Sequence, residues 1–248
     1  GACSASRSVT APPIEWPTTT RPRRFSRASH AASTRARLVG DSLAVYPEND
    51  SAEVEALMNF FDDALIQDPR SKEWRTLSGH LTAHAHILEL TRGFLKLASE
   101  RLPDLKVPEE RSELKEYLKS YTVAEFFEFH PSLSMTAQEL VDLLGPILPR
   151  FYSIASSPNM HPGEVHLTVA YVEYELEGRK RRGLATHYLC NQVPLGAPVI
   201  PVYVQPHRGF TLPEEGEASI IMIGPGTGIA PFRAFLQERL HRSCPGKH

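Results

Sequence analysis

The spacing of apolar positions changes twice along the chain. Residues 38–46 alternate apolar and polar side chains around Gly40 and Asp41, a pattern that predicts a strand and a turn. Residues 61–145 repeat apolar positions at helical spacing, so they are predicted to be mainly helix. Strand-like runs rich in β-branched and aromatic residues follow at residues 151–155, 164–174 and 198–205.

Capping residues place two helix boundaries. Asp50 followed by Glu53 resembles a capping box in front of a helix. Thr136 and Glu139 have the same spacing before a second helix, which Gly145 ends.

The last segment predicts one strand, a glycine loop and a helix. Residues 219–223 form a short apolar strand, residues 224–228 contain the glycines, and residues 230–240 form a helix opened by Pro231. Glycines let a backbone approach a phosphate closely, and the free N–H groups of the following helix attract the anion. The spacing differs from the usual dinucleotide fingerprint, so a tight connection without a ligand is the alternative.

Residues 1–36 differ in composition from the rest. They are rich in Ser, Thr, Ala, Pro and Arg, and Glu15 is their only acidic residue. We predict a disordered, low-complexity segment, with an organelle transit peptide and an altered reading frame as the alternatives.

The overall composition excludes several classes of protein. A hydrophobic fraction of 41% is typical of a globular protein, and a net charge of -2 gives no general attraction for nucleic acid. No apolar run reaches the ~20 residues of a membrane span. The 3 cysteines are scattered, so they indicate neither a disulfide framework nor a zinc site and fit a reducing, cytoplasmic location.

Two polar clusters are not assigned to a site. His80, His84 and His86 lie close together on a predicted helix without an acidic or cysteine residue at ligand spacing. We therefore expect packed or surface histidines and no metal. The Arg-Lys-Arg-Arg run at 179–182 is expected to be solvated, with docking of an acidic partner as the alternative.

Three motifs in a fixed order carry a resemblance to a known family. They are Arg-Phe-Tyr-Ser at 150–153, Gly-Leu-Ala-Thr at 183–186 and Gly-Pro-Gly-Thr-Gly-Ile-Ala-Pro-Phe-Arg at 224–233. Residues 40–50 also match the segment before the family's helical insert. Over residues 38–248 the chain resembles the diflavin reductases, which include the sulfite reductase flavoprotein, NADPH–cytochrome reductase and the reductase domain of nitric oxide synthase.

The resemblance implies roles for the residues at 150–153. Arg150 is expected to hold the pyrophosphate of FAD, because a guanidinium offers paired donors to phosphate oxygens. Tyr152 is expected to lie against the isoalloxazine ring. Ser153, the implied catalytic residue, is expected near flavin N5, where it helps to orient the arriving hydride. Taken alone, the same motif equally suits an ordinary strand with an exposed arginine and a core tyrosine.

The resemblance assigns further residues to the cofactors. It implies a strand whose backbone contacts the flavin, a ring beside the adenine, a second loop at the FAD pyrophosphate, and the glycine loop at the nicotinamide nucleotide. An ordinary strand or helix cap without a ligand would look the same. The residues assigned in this way are Thr168, Val169, Ala170, Tyr174, Gly183, Leu184, Ala185, Thr186, Gly226, Thr227, Gly228 and Arg233.

The implied function is that of an FAD-binding oxidoreductase module. Electrons from NADPH would pass through FAD to FMN, on a separate domain or a flavodoxin-like protein, and then to a haem or iron–sulfur acceptor protein. Residues 202–213 look most like the bacterial sulfite reductase flavoprotein, whose acceptor is a haemoprotein. The alternatives are a cytochrome-reductase-type module, an FAD-binding fragment without turnover, and a nonfunctional remnant.

These observations predict a mixed α and β fold. Residues 37–54 and 146–216 are expected to form an antiparallel FAD-binding β-barrel, interrupted by a helical connecting insert at residues 55–145. Residues 217–248 are expected to begin a parallel α/β NADP-binding domain. The family's FMN domain and the rest of its nicotinamide site have no counterpart in the sequence, so we expect a chain cut within the NADP-binding domain.

Overall fold

The computed structural model describes residues 38–194 and 200–244. It is a mixed α and β protein with antiparallel sheets, which confirms the predicted fold class at that level. These described residues divide into a first unit, made of residues 38–46, 149–171, 193–194 and 200–244, and a second unit, made of Pro47–Leu148 and Val172–Gln192.

Most of the helices and strands in the described residues are short. In chain order they are β1 (Ser42–Val45), α1 (Ser51–Met58), β2 (Leu65–Gln67), β3 (Trp74–Thr76), α2 (Leu77–Ala83), β4 (Ala85–His86), α3 (Arg92–Arg101), α4 (Arg111–Ser120), α5 (Val123–Phe129), α6 (Ala137–Leu143), β5 (Gly145–Pro146), β6 (Arg150–Ser153), β7 (Glu173–Leu176), β8 (Arg179–Arg182), α7 (Leu184–His187), a π-helical turn (Tyr188–Gln192), β9 (Val202–Gln205), a 3-10 turn (Gly226–Ile229) and α8 (Ala230–His241).

A three-stranded antiparallel sheet forms the centre of the first unit. β1 lies between β6 and β9, and the side chains of Leu43, Ala44 and Val45 are buried. Because successive side chains point to opposite faces, Leu43 and Val45 share one face and Ala44 lies on the other. The strand predicted at residues 38–46 is therefore confirmed.

Gly40 and Asp41 hold the start of β1 against the segment that follows β9. Gly40 has a φ of +100°, and a Cβ atom there would overlap the carbonyl oxygen of Phe210. The buried carboxylate of Asp41 accepts the backbone N–H of Leu38 at 2.9 Å and that of His207 at 3.1 Å. Glycine is required at position 40 because both the φ value and the close approach exclude a side chain.

Helix α8 packs its apolar side into the first unit. Val39, Ala234 and Phe235 form a buried cluster, against which Phe210 and Phe232 pack. The helix predicted at residues 230–240 is confirmed, with a proline in its first turn.

The second unit is built around helices. Its core joins buried side chains from α1, α2, α3, α5 and α6, and partly buried side chains of α4 pack against it. The rings of Phe94 and Phe126 meet edge to face at 5.3 Å. The capping box predicted at Thr136 and Glu139 is confirmed at the start of α6. Asp50 caps α1 by accepting the backbone N–H of Ala52, but Glu53 does not complete the predicted capping box.

The helical expectation for residues 61–145 misses two short sheets. β2 pairs with β3, and β4 pairs with β5. The side-chain amide of Gln138 binds the edge of β2, because its Oε1 accepts the N–H of Gln67 at 2.8 Å and its Nε2 donates to the carbonyl of Gln67 at 3.0 Å. Strands of two or three residues are too short for a periodic pattern to reveal.

Two predicted strand runs form only in part or not at all. Residues 164–174 contribute one bridge, between Ile154 and Leu167, and the first residues of β7. Residues 219–223 form no strand among the described residues, and Ile221 and Ile223 are 91% and 83% exposed. An all-apolar strand is normally buried between neighbours on both faces, and no described segment pairs with this one. The described strands form open sheets, so the closed barrel stays a prediction.

Candidate functional site

The predicted site strand, β6, lies at an edge of the three-stranded sheet. Its pairing with β1 places Tyr152 opposite Leu43 and Ser153 opposite Ser42. The alternation of side chains puts Arg150 and Tyr152 on one face and Ser153 on the other, at the end of the strand. The structure thus brings Arg150 and Tyr152 side by side.

These side chains differ in their access to solvent. Arg150 is exposed, and within the described residues its guanidinium has no hydrogen-bond or ion-pair partner. Tyr152 and Ser153 are half-buried, whereas Ile154 and Ala155 beyond them are buried. The surface therefore presents a cation next to an aromatic ring, and the chain that follows this strand is buried.

The segment with Thr168, Val169 and Ala170 lies next to the end of β6 but outside any strand. Thr168 and Val169 are half-buried and Ala170 is exposed. Just before them, the N–H of Ala155 donates to the carbonyl of His166 at 2.8 Å. This bond and the neighbouring bridge bring two of the predicted site segments together.

The glycine loop leads into α8 through one 3-10 turn. Gly226 has a φ of +56°, and no atom lies within 4 Å of the position of its missing Cβ. At Gly224, in contrast, a Cβ would lie 2.5 Å from the carbonyl oxygen of Gly228 and 2.6 Å from the ring of Phe232. The open backbone at Gly226 and Thr227, both exposed, is where a ligand could approach.

Arg233, predicted with the glycine loop, reaches back to the segment that follows β6. Its Nη1 donates to the carbonyl of Ala155 at 2.5 Å and lies 3.2 Å from Nδ1 of His166. Its predicted contact with a nucleotide stays a prediction.

In the second unit, Gly183 precedes the short helix α7. A Cβ at Gly183 would lie 2.8 Å from Oγ1 of Thr186 and 3.0 Å from Cβ of Val172. The Thr186 hydroxyl donates to the carbonyl of Gly183 at 3.1 Å and accepts the N–H of Val172 at 3.2 Å. Leu184 is half-buried and Ala185 is buried, and the loop packs closely against Val172.

The second unit also holds Tyr174, which is 51% exposed on β7. Its neighbouring strand β8 carries the basic run, and there the expectation of solvated charges is wrong for two residues. Arg179 and Arg181 both pair with Glu125, at 3.5 and 2.7 Å. Arg179 also lies over the ring of Phe129 at 4.8 Å. The acidic partner is supplied by α5 of the same unit.

A buried histidine next to the second loop was not found from the sequence. Nε2 of His187 lies 2.7 Å from Oδ2 of Asp50, and its Nδ1 lies 3.1 Å from the amide nitrogen of Asn191. Burial acts to raise the pKa of the Asp50 carboxyl, but the N–H of Ala52 and the side chains of His187 and Gln192 hold that pKa below its usual value. The 137 residues between Asp50 and His187 hide this pair from any local pattern.

The three clustered histidines of the sequence include one that is buried. His80 packs in the second unit, with its Nδ1 3.9 Å from Oδ2 of Asp68, an acidic neighbour that the spacing did not reveal. Burial lowers the pKa of His80. The described group with the spacing of metal ligands is a different one, formed by His161, Glu164 and His166.

A comparison with known protein families decides which family the chain belongs to. The sequence model described as "FAD binding domain" matches residues 36–188, a range that includes β6 and Gly183–Thr186. The chain belongs to the FAD binding domain family. Among its described helices, none is both long enough and apolar enough to cross a membrane.

Several curated relatives of this FAD-binding domain share one name. The chain is 38% identical over 216 residues to the "Sulfite reductase [NADPH] flavoprotein alpha-component" of Bacillus subtilis (strain 168), a match to 84% of the chain and 36% of that relative. The proteins of the same name from Vibrio cholerae (serotype O1, strain El Tor Inaba N16961) and Escherichia coli O157:H7 are 40% and 35% identical, again over 84% of the chain and 34% and 35% of each relative. The chain therefore spans about a third of the length of these relatives.

Proposed function

We propose that the chain is the FAD-binding part of an NADPH-dependent flavin reductase of the sulfite reductase type. The observation that carries this proposal is the face of β6 on which an exposed Arg150 adjoins a half-buried Tyr152. The family match includes this strand, and the relatives named above are NADPH sulfite reductase flavoproteins. The cytoplasmic location stays a prediction.

The residues of the first unit fit the cofactor chemically. The guanidinium of Arg150 would donate paired hydrogen bonds to the pyrophosphate, and Tyr152 would cover the isoalloxazine ring and exclude water. Ser153 is the residue we assign to orienting the hydride at flavin N5. The backbone of 168–170, which adjoins the end of β6, is assigned to the edge of the flavin.

The resemblance assigns two features of the second unit to the same cofactor. Tyr174 is an exposed ring that could stack beside the adenine. The loop Gly183–Thr186 is assigned to the pyrophosphate. The Thr186 hydroxyl, which now donates a hydrogen bond to the Gly183 carbonyl, would donate to a phosphate oxygen instead.

The glycine loop is assigned to NADPH. The space around Gly226 and the exposure of Thr227 leave backbone N–H groups accessible to phosphate oxygens. The domain boundaries are part of the same proposal. Residues 37–54 and 146–216 would form the barrel, residues 55–145 the connecting insert, and residue 217 would begin the NADP-binding domain.

The chemistry supplied by bound FAD is the acceptance of a hydride from NADPH and the release of single electrons to FMN, and through it to a haem or iron–sulfur acceptor such as the sulfite reductase haemoprotein. The part of this chain is to bind, orient and shield the cofactor. The FMN carrier is proposed to be another domain or a flavodoxin-like protein.

The proposal is tested by the flavin content of the purified chain. Near-equimolar FAD, identified after release, is expected. Arg150→Ala should weaken FAD binding by about 1.5–3 kcal/mol, because it removes one charged contact. Arg208→Ala, a change at another exposed arginine of the first unit, is the matched control and should leave FAD affinity unchanged. A chain that takes up no added FAD would refute the proposal, and an unchanged affinity of Arg150→Ala would remove that residue from the site.

A further inference from the structure

One polar face of α8 is bonded to the segment that follows Ser153. Arg233, Gln237 and Glu238 lie on neighbouring turns of the helix, and all three reach residues 155–161. Both segments belong to the first unit. The helix that follows the glycine loop therefore also supports the end of β6.

The bond nearest to β6 is made by Arg233. Its Nη1 donates to the carbonyl of Ala155, two residues beyond Ser153. Ala155 is buried, so this carbonyl would lose a hydrogen bond that water could not readily replace if the guanidinium were removed.

Gln237 and Glu238 hold the next turn of the chain at Ser157. Oε1 of Gln237 accepts the N–H of Ser157 at 3.0 Å, and Oε2 of Glu238 accepts its hydroxyl at 2.6 Å. Burial acts to raise the pKa of Glu238, but bonds from Ser157, Arg242 and Asn159 hold it below its usual value. Glu238 is thus an ionised, buried acceptor whose hydrogen bonds fix this turn.

Two histidines extend the same set of bonds. A backbone N–H can only donate, so the bond at Ser157 fixes the orientation of the Gln237 amide, and its Nε2 must donate to Nε2 of His161 at 3.1 Å. Arg233 donates in the same way to Nδ1 of His166. Each neutral imidazole then carries its proton on the other nitrogen. These nitrogens lie 3.0 Å (His166) and 3.9 Å (His161) from Oε2 of Glu164.

This proton arrangement favours a hydrogen-bond network over a metal centre. His161, Glu164 and His166 have ligand atoms within 4.8 Å of one another. A metal bound at this group would replace both imidazole protons that face Glu164. The other ring nitrogens, Nδ1 of His166 and Nε2 of His161, would still have to accept hydrogen bonds from the side chains of α8. Histidine ligands normally donate their second N–H to a neighbour, and here the neighbours are themselves donors.

We propose that Arg233, Gln237 and Glu238 are positioning residues that hold the end of β6, and with it Ser153, in the place required for hydride transfer. The inference rests on the proposed function, because the position of Ser153 matters to the reaction only when FAD is bound. It gives Arg233 a role through Ser153 in place of a direct contact with the nucleotide.

The test is a double-mutant cycle on Ser153 and Arg233 in the full chain loaded with FAD. The hydride donor is 1-benzyl-1,4-dihydronicotinamide, which has no phosphate: its C4 hydride passes to flavin N5, the donor becomes the pyridinium, and the flavin is reduced. Arg233→Ala should slow this reaction by about tenfold at unchanged FAD content. Arg233→Lys, which can still donate to the carbonyl of Ala155, should restore most of the rate. The variant that combines the substitutions at Ser153 and Arg233 should react no more slowly than the slower of the two single variants.

A second measurement is made without flavin. Hydrogen exchange of the amides of Ala155 and Ser157 should be faster in Arg233→Ala and Gln237→Leu and unchanged in the control Arg208→Ala. If Arg233→Ala does not fold, Gln237→Leu takes its place in the cycle.

The outcomes separate this inference from the proposed function. Failure of the unchanged chain to take up FAD would overturn both. FAD uptake together with an unchanged rate in Arg233→Ala, or with losses that multiply in the double variant, would overturn this inference alone.

Discussion

The guanidinium of Arg181 donates to both carboxylate oxygens of Glu125, at 2.8 and 2.7 Å, although 56 residues separate the two in the chain. A further bond runs from Nη2 of Arg181 to the carbonyl of Ser120 at 2.9 Å. The two side chains are 10% and 19% exposed, so the pair is largely removed from water. It fastens the β7–β8 hairpin to the start of α5 within the second unit.

Removing this carboxylate should destabilise the protein strongly. Glu125→Ala leaves Arg181 largely buried without its partner, so the free energy of unfolding in urea should fall by about 2–4 kcal/mol. Glu139→Ala is a matched control, because Glu139 is also the third residue of a capping box and also pairs with an arginine, Arg101, but at an exposed site. The control should lose clearly less stability, and equal losses would contradict the role of burial.

The stability of the protein should decrease below neutral pH in part through His80. Burial lowers the pKa of His80 below its ordinary value of 6.5, despite the nearby Asp68, so the unfolded chain binds a proton more readily than the native protein. The contribution of His80 is therefore complete above pH 6.5 and is lost as the pH falls toward the native pKa. In urea unfolding, the free energy of unfolding should differ less between pH 7.5 and pH 5.5 for His80→Gln than for the unchanged chain.

The exposed His207 supplies the control for this measurement. His207→Gln should keep the pH dependence of the unchanged chain. Carboxyl groups with a lowered pKa, such as Glu125 and Asp68, lose their contribution only below their ordinary values of 4.5 and 3.8, outside this pH interval. A His80→Gln protein with an unchanged pH dependence would contradict the prediction.

A side chain at position 40 should be tolerated poorly. Gly40→Ala combines a φ of +100° with overlap at the Phe210 carbonyl, so the free energy of unfolding should fall by about 3 kcal/mol or more. Gly178→Ala has a φ of +75° but open space around the new Cβ, and it should lose only about 1 kcal/mol. Similar losses at both sites in thermal unfolding would argue against the close approach of Phe210.

Two isoleucines should respond very differently to truncation. Ile154→Ala, at a site with 0% exposure after β6, should lower the free energy of unfolding by about 2–5 kcal/mol. Ile221→Ala, at a site with 91% exposure, should change it by less than about 0.5 kcal/mol. A large loss at Ile221 would mean that the segment is buried in solution, as the predicted strand requires.

Local sequence patterns predicted the features that depend on near neighbours. The capping box of Thr136 and Glu139 and the helix after Pro231 need only contacts within a few residues, and both are confirmed. The family motifs likewise pointed to the family that the comparison shows. The β2–β3 hairpin was missed because strands of three residues are too short to show an alternating pattern. The prediction of a strand at 219–223 was wrong because an apolar run forms a strand only where neighbouring strands pair with it.

The sequence by itself determined the family, the mixed fold class and the identity of the candidate residues, because these depend on residue types at fixed spacing. The tertiary structure alone decided which of those residues share a face and what holds them. Arg150 and Tyr152 adjoin through the pleat of β6, and Arg233 contacts Ala155 across 78 residues of chain. Hydrogen bonds and ion pairs act over a few ångströms in space, so a one-dimensional pattern cannot reveal partners that only folding brings together.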